Sequence, residues 1–228
     1  MQLQIGTTLR RTARLIRNDR DFLRAARRMP KPVPWDWAEP RLIPLLAGPR
    51  NDTPGEELVR APSRLGPVLM FGIDLGGHFP LVDRSVAERW ETSPGQLLET
   101  SLANLRRRAA AVGQGSVATW VRSGRIVRVL RRPVGFASSL LLLSEELERL
   151  FGRADQVFGA PGRHTLVSFP ADMPSGSIAE IHTDIEVDEL MPLFLLPFVW
   201  VDRELLWSDT TFDEDDGDDE GRVAARHE

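Results

Sequence analysis

Hydrophobic residues near the start of the chain recur with the period of an α-helix. Leu9, Ala13, Ile16 and Leu23 follow one another at spacings of four, three and seven residues, which places them on one side of a helix. Arginines form a second stripe beside this apolar side, within a sector of roughly 80°. The pattern therefore predicts a basic amphipathic helix over residues 1–30, and its arginine stripe consists of Arg10, Arg14, Arg17, Arg24 and Arg28.

Further along, residues 65–207 contain short runs in which apolar and polar residues alternate, as they do in β-strands. These runs come in pairs separated by turn residues, at Gly76-Gly77, at Ser123-Gly124 and near Pro161-Gly162. The last apolar stretch, residues 192–207, also reads as extended. The pattern predicts three hairpins and a closing strand region.

Helical runs lie between these hairpins. Ser93 is a predicted N-cap with Pro94 at the first helical position and Gly113 at the end, and Asn104 in this helix is expected to hydrogen-bond a neighbouring loop. A second helix is predicted over 138–152, where Ser144 caps an acidic first turn and Gly152 ends the helix. Residues 175–190 fit both a helix, with a capping box at Ser177 and Glu180, and an alternating strand, and we favour the helix.

Hairpins interleaved with helices are typical of an α+β fold. We predict an antiparallel or mixed sheet with helices packed against it, in addition to the N-terminal amphipathic helix. The proline-rich residues 31–64 are predicted to be linker and loop, with a short strand within "RLIPLLAG". Residues 208–228 are predicted to be a disordered acidic tail, because residues 208–220 hold eight carboxylates and no basic side chain.

Composition removes several kinds of chemistry. The chain has no cysteine, which excludes disulfides, thiolate nucleophiles and cysteine-bound metals. Lys31 is its single lysine and lies among prolines, so a Schiff base or a phosphate loop built on lysine is not expected. The longest apolar run, Leu193–Val201, contains a proline and is about half of a membrane span. We therefore expect a cytoplasmic protein that needs no cofactor.

Three stretches carry a family resemblance: "FPLVDRSVAERWETSPGQLLETSLANL", "SSLLLLSEELERLFG" and "VFGAPGRHTLVSF". Over residues 65–207 the chain resembles the YtpQ-like bacterial proteins, a family built on a domain of unknown function. The resemblance implies a fold and a bacterial cytoplasmic setting, and it carries no activity. In that family the turn corresponding to "APGRHT" has an arginine followed by an acidic residue, so Arg163 matches the pattern whereas His164 departs from it.

Arg163 and His164 form the first candidate site, because they follow a Pro161-Gly162 dipeptide suited to the central positions of a type II turn. Since a type II turn splays a tight hairpin, we expect a loop wider than two residues. A guanidinium and an imidazole at such a turn can clamp an anionic ligand. The alternative, which we favour, is an exposed turn arginine beside a histidine at a strand edge.

His182 and Glu186 form the second candidate, and Asp184 joins them if the segment is extended. Imidazole and carboxylate groups on one face can bind a divalent metal. No second histidine lies at a recognised spacing, so a solvated acidic face is the favoured interpretation, and neither a metal site nor a catalytic residue is predicted.

The charged N-terminal helix gives the leading functional hypothesis. Its apolar stripe needs burial somewhere, so we expect a non-enzymatic protein-interaction module that binds another protein or itself through the arginine stripe and the Arg163–His164 turn. One alternative is a hydrolase or metal-dependent enzyme with its site around Arg163 and His164. A second is binding of nucleic acid or an anionic membrane surface by the arginines. The acidic tail can also compete for the same arginines.

Overall fold

A computed structural model describes most of the chain between residues 20 and 207. The described ranges are 20–47, 57–122, 124–131, 135–153, 155–189, 192–201 and 204–207. Arg10, Arg14, Arg17 and the predicted acidic tail lie outside these ranges.

The described residues form six α-helices and nine strands. The helices are α1 (residues 20–27), α2 (Trp35–Ala38), α3 (Arg84–Arg89), α4 (Pro94–Ala110), α5 (Ser144–Phe151) and α6 (Ser175–Val187). Short 3-10 turns cover Glu39–Arg41, Gln114–Ser116 and Ala137–Leu142. The strands are β1 (Leu42–Leu46), β2 (Arg60–Ala61), β3 (Leu69–Ile73), β4 (Val117–Arg122), β5 (Arg125–Arg131), β6 (Gln156–Gly162), β7 (Thr165–Pro170), β8 (Pro192–Val201) and β9 (Glu204–Trp207).

All strand pairs are antiparallel and belong to two sheets, which confirms the α+β prediction. The larger sheet has the order β4-β5-β7-β6-β8-β9, and the smaller sheet has the order β1-β3-β2. Alternating side chains of the larger sheet enter two separate cores, as the period of two requires. Val127, Val129 and Val167 face α6, whereas Leu130 and Leu166 face the smaller sheet together with α4 and α5.

The smaller sheet corrects the predicted organisation of residues 31–64. All five residues of β1 are buried, and α4 packs on this strand, so this part of the predicted linker belongs to the core. Pro44 disfavours a helix at its own position but does not prevent an edge strand. Pro44 needs no ladder donor because β1 lies at the edge of its sheet, paired with β3 alone. Residue 64 is therefore not the point at which packing begins.

The predicted N-cap of α4 is confirmed. The Ser93 hydroxyl accepts from the amide of Gln96 (3.2 Å), and the Gln96 side chain accepts from the amide of Ser93 (2.8 Å). The predicted caps of the other two helices are wrong. Leu143 precedes α5 and Pro174 precedes α6, so Ser144 is the first residue of its helix and the Ser177–Glu180 box does not form. Residues 175–187 are nevertheless helical, as predicted.

Candidate functional site

The turn that contains Arg163 and His164 is tighter than predicted. Gly162 pairs with Thr165, which leaves a two-residue connection between β6 and β7. The type II turn around Pro161-Gly162 is wrong, because both residues are the last of β6 and Gly162 also pairs with Pro192 of β8. Glu91 is the one described non-glycine residue with positive φ, so the connection is not a primed turn. Register shifts in β6 between Phe158 and Gly162 accommodate the strand twist instead.

Arg163 is buried, which corrects the expectation of an exposed turn arginine. Its residue is 5% exposed because the 3-10 segment Ala137–Leu142 lies over the turn, and Ser138 donates to the Arg163 carbonyl from its amide (3.3 Å) and its hydroxyl (3.2 Å). Burial lowers the pKa of Arg163 to about 10 by desolvating the cation. The side chain is therefore still charged at neutral pH. Its Nε has no hydrogen-bond partner among the described residues.

The Glu189 carboxylate lies near the β6–β7 turn and accepts hydrogen bonds from residues other than Arg163. Its Oε1 accepts from the Thr165 hydroxyl (2.6 Å) and from Arg131 Nη2 (3.0 Å). Gly162 makes room for it, since a Cβ at that position would lie 2.6 Å from Glu189 Cγ and Oε2. Sequence analysis missed Arg131 and Glu189, because 58 residues separate them and no local pattern links them.

His164 is half-buried and packs separately. Its Nδ1 lies 2.7 Å from the Gly135 carbonyl, so Nδ1 carries the proton and donates, since a carbonyl can only accept. The imidazole stacks with the Phe79 ring at a centroid distance of 6.0 Å. The neighbouring side chains of Arg163 and His164 thus have distinct environments: one guanidinium is desolvated, and one ring is held by a backbone carbonyl and an aromatic side chain.

The second candidate is not a solvated acidic face. His182 is 4% exposed and shares the buried stripe of α6 with Ile178, Ile181 and Ile185, whereas Asp184 is exposed. Helical geometry explains this, because positions 178, 181, 182 and 185 lie on one side of the helix. In the part of the chain that the structure describes, no group of three or more histidine and acidic side chains is placed to hold a metal ion.

Helix α1 lies on the outside of the molecule. Its half-buried side includes Ala25 and Ala26, and the following Met29 packs against the main core. The rest of the helix surface is exposed, and Leu23, which lies about 60° from Ala26 around the helix axis, is 52% exposed. At about 100° per residue its arginines fall within a sector of roughly 100°; they are Arg20, Arg24, Arg27 and Arg28, all exposed.

This exposed side of α1, Arg20, Leu23, Arg24, Arg27 and Arg28, is called the arginine face below. Arg24 Nη1 donates to Asp21 Oδ1 (3.2 Å), which is an exposed ion pair within the same helix. Such a pair contributes little to stability and leaves the other three arginines available to a partner. Arg24 and Arg28 belong to the stripe predicted from the sequence, whereas Arg20 and Arg27 were missed because they lie about 40–60° outside its 80° sector.

A groove of about 630 Å³ adjoins α1 and is lined by Phe22, Leu58, Phe79, Pro80 and Leu81, with acidic residues at its rim. The Phe22 ring lies 5.9 Å from that of His78, centroid to centroid. One rim residue, Asp83, caps α3, and hydrogen bonds from the Ser85 hydroxyl and the Val86 amide lower the pKa of this carboxyl. The groove therefore combines apolar lining residues with one carboxylate, that of Asp83, which the fold already uses.

Asn104 has the role that its position predicted. Its amide donates to the carbonyls of Glu39 (2.6 Å) and Leu42 (3.1 Å), which fixes the start of β1 against α4. The arginines that follow it serve the same junction: Arg107 donates to Asn104 Oδ1 (2.9 Å), and Arg108 pairs with Asp74. This cluster is structural.

Comparisons with known proteins give no match: no family model, no curated protein and no solved structure is similar to this chain. The YtpQ-like resemblance therefore stays a prediction. Over the described residues, none of the helices has both the length and the apolar character to cross a bilayer.

Proposed function

We propose that the protein is a non-enzymatic interaction module that binds an acidic protein partner through the arginine face of α1. The observation that supports this most directly is the exposure of Leu23 beside four exposed arginines on a helix that also contacts the body. Leucine at such a position contributes affinity when a partner buries it, and the arginines select for carboxylates.

The charge of α1 predicts the kind of partner that binds it. Residues 20–28 contain four arginines and a single acidic residue, Asp21. An acidic segment with at least one apolar side chain fits this face, since it would cover Leu23 and pair with the guanidinium groups. A second copy of the chain is also a possible partner, and measurement of the oligomeric state distinguishes it.

Nucleic acid and anionic lipid share the same arginines but differ in what they need from Leu23. Binding of nucleic acid relies on phosphate contacts and falls steeply with salt. Phe22 is the one aromatic residue between Arg20 and Arg28, so base stacking has little support on this face. A protein partner is favoured because an exposed apolar residue, Leu23, lies at the edge of the charged face, about 40° from Arg27 around the helix axis.

The test uses the full chain and exposed positions. Leu23→Asp combined with Arg24→Glu and Arg28→Glu should reduce partner capture at least about tenfold, while the control Arg89→Glu with Arg122→Glu, which contains the same number of arginine reversals, should keep it. Capture is measured by crosslinking and affinity purification, and the identified partner is then titrated as a purified protein by calorimetry. Loss of capture on nuclease treatment, or equal capture by both variants, would refute a protein contact at this face.

A further inference from the structure

A second groove, separate from the arginine face, lies between α4 and the terminal strand β9. It has a volume of about 750 Å³ and is called the β9 groove. One wall is a stripe of α4, Leu98, Leu102 and Arg106, spaced four residues apart and therefore aligned along one side of the helix. The other wall is β9, where Leu206 is 55% exposed.

The floor of the β9 groove is apolar and its rim is basic. Leu141 and Leu142 lie between the walls, and Leu98, Leu102 and Leu142 are only partly covered by the described chain. Arg64 and Arg106 at the rim are both exposed, and Glu204 is the acidic lining residue. Neither arginine has a described ion pair. An occupant with an apolar side chain and several carboxylates matches this combination.

Strand β9 adds backbone groups to the same site. It ends the six-stranded order and pairs with β8 alone, so its outer edge has no partner among the described strands. An extended segment that entered the groove could therefore hydrogen-bond to β9 as an added strand. This favours an extended peptide over a compact ligand.

We infer that the β9 groove is occupied by the chain's own residues 208–220, with Phe212 over the leucines and the neighbouring carboxylates near Arg64 and Arg106. The segment "SDTTFDEDDGDDE" has the required chemistry, with one aromatic residue and eight carboxylates. It also starts in the right place, because Trp207 is the last residue of β9. Phe212 follows five residues later, within a reach of about 17 Å.

Tethering makes weak contacts sufficient. A segment joined to the groove by a few residues has an effective concentration of about 1 mM, so a modest intrinsic affinity already fills the site. The exposed edge of β9 and the partly covered leucines would then be protected within one molecule. The inference does not depend on the arginine face, which has a different position and a different proposed occupant.

The test supplies the segment in trans. A fluorescent peptide of residues 208–220 is titrated against the full chain and against a chain that ends at Trp207. The truncated chain should bind the peptide, and the full chain should bind it at least about tenfold more weakly because its own segment competes. Raising the salt from about 0.05 M to about 0.5 M should weaken the binding, since the carboxylate–arginine contacts are exposed.

Variants locate the site without disturbing the core. In the truncated chain, Arg64→Glu with Arg106→Glu should abolish binding, and a Phe212→Ala peptide should bind at least about tenfold more weakly to the unaltered groove. The matched control, Arg89→Glu with Arg122→Glu at exposed positions outside both surfaces, should leave the affinity unchanged. Three results would overturn the inference: equal binding to both chains, loss of binding through Arg24→Glu with Arg28→Glu on α1 instead of through the groove variant, or competition that appears only as the full chain dimerises.

Discussion

The larger sheet contains two hairpins that read alike in sequence and differ completely in environment. The last pair of the β4–β5 hairpin joins Arg122 to Arg125, and the last pair of the β6–β7 hairpin joins Gly162 to Thr165. Strand β4 has no fully buried residue, whereas every residue of β6 is buried. Position in the strand order explains the contrast, because β4 is an edge strand and β6 is paired on both sides. Alternation predicts a strand, and the number of neighbours decides how deeply it is buried.

The largest expected difference between the two hairpins comes from truncation of a side chain. Phe169 in β7 is fully buried against α6, so Phe169→Ala should lower the free energy of unfolding by about 3–5 kcal/mol. Val121 in β4 is 68% exposed, and Val121→Ala should change it by less than about 0.5 kcal/mol. Urea denaturation followed by tryptophan fluorescence measures both. A loss above about 1.5 kcal/mol for Val121→Ala would mean that something covers the edge hairpin.

The next largest effect is expected at Arg163. Whether its replacement raises or lowers the free energy of unfolding is the informative result. Arg163 is a desolvated cation with no described partner at Nε, so Arg163→Met should raise the free energy of unfolding by about 1–4 kcal/mol. Arg122→Met at the end of β4 should stay within about 0.5 kcal/mol, because Arg122 is exposed. Destabilisation by Arg163→Met would contradict this and would place a counter-charge for Arg163 outside the described residues.

The difference in the free energy of unfolding between the wild type and Arg163→Met should depend on pH, because burial lowers the pKa of Arg163. Below pH 10 the guanidinium is charged in both folded and unfolded chains, so the stability difference between the wild type and Arg163→Met is constant. Above a pH of about 10 the folded wild type releases this proton before the unfolded chain does. The wild type then gains stability relative to the variant, and the difference should narrow as the pH rises. Denaturation curves of both proteins from neutral pH to about 11 measure it.

Sequence reasoning succeeded where the signal is local and failed where a distant segment decides. The N-cap of α4 and the pairing of β4 with β5 follow from short patterns, and both are present. The type II turn predicted at residues 161–162 was equally well motivated. It was overridden by β8, whose Pro192 pairs with Gly162 from 30 residues away and extends β6 to that point.

Burial of candidate site residues was likewise not predictable from their neighbours in sequence. Arg163 is covered by a 3-10 segment that begins 26 residues earlier, and nothing in "APGRHT" indicates that contact. His182 could have been placed correctly, because it continues the apolar stripe of Ile178, Ile181 and Ile185 once the helix is accepted. The edge position of β1 could not have been predicted from the sequence, since it depends on β3 pairing with both β1 and β2.

The smallest expected effect comes from replacing one glycine in each hairpin by alanine. Both substitutions should lower the free energy of unfolding, but for different physical reasons. Gly162→Ala should cost about 1–3 kcal/mol through the clash with Glu189, because its backbone does not need positive φ. Gly124→Ala should cost about 1 kcal/mol through its φ of +72° alone, since nothing lies within 4 Å of the added methyl group.

Asparagine separates the two causes, because it tolerates the left-handed region better than alanine but is larger. Gly124→Asn should therefore be more stable than Gly124→Ala, whereas Gly162→Asn should be less stable than Gly162→Ala, as measured by urea denaturation. If asparagine were better than alanine at both positions, backbone conformation would govern both turns. In that case backbone conformation would be the reason for glycine at position 162, and the contact with the Glu189 carboxylate would not.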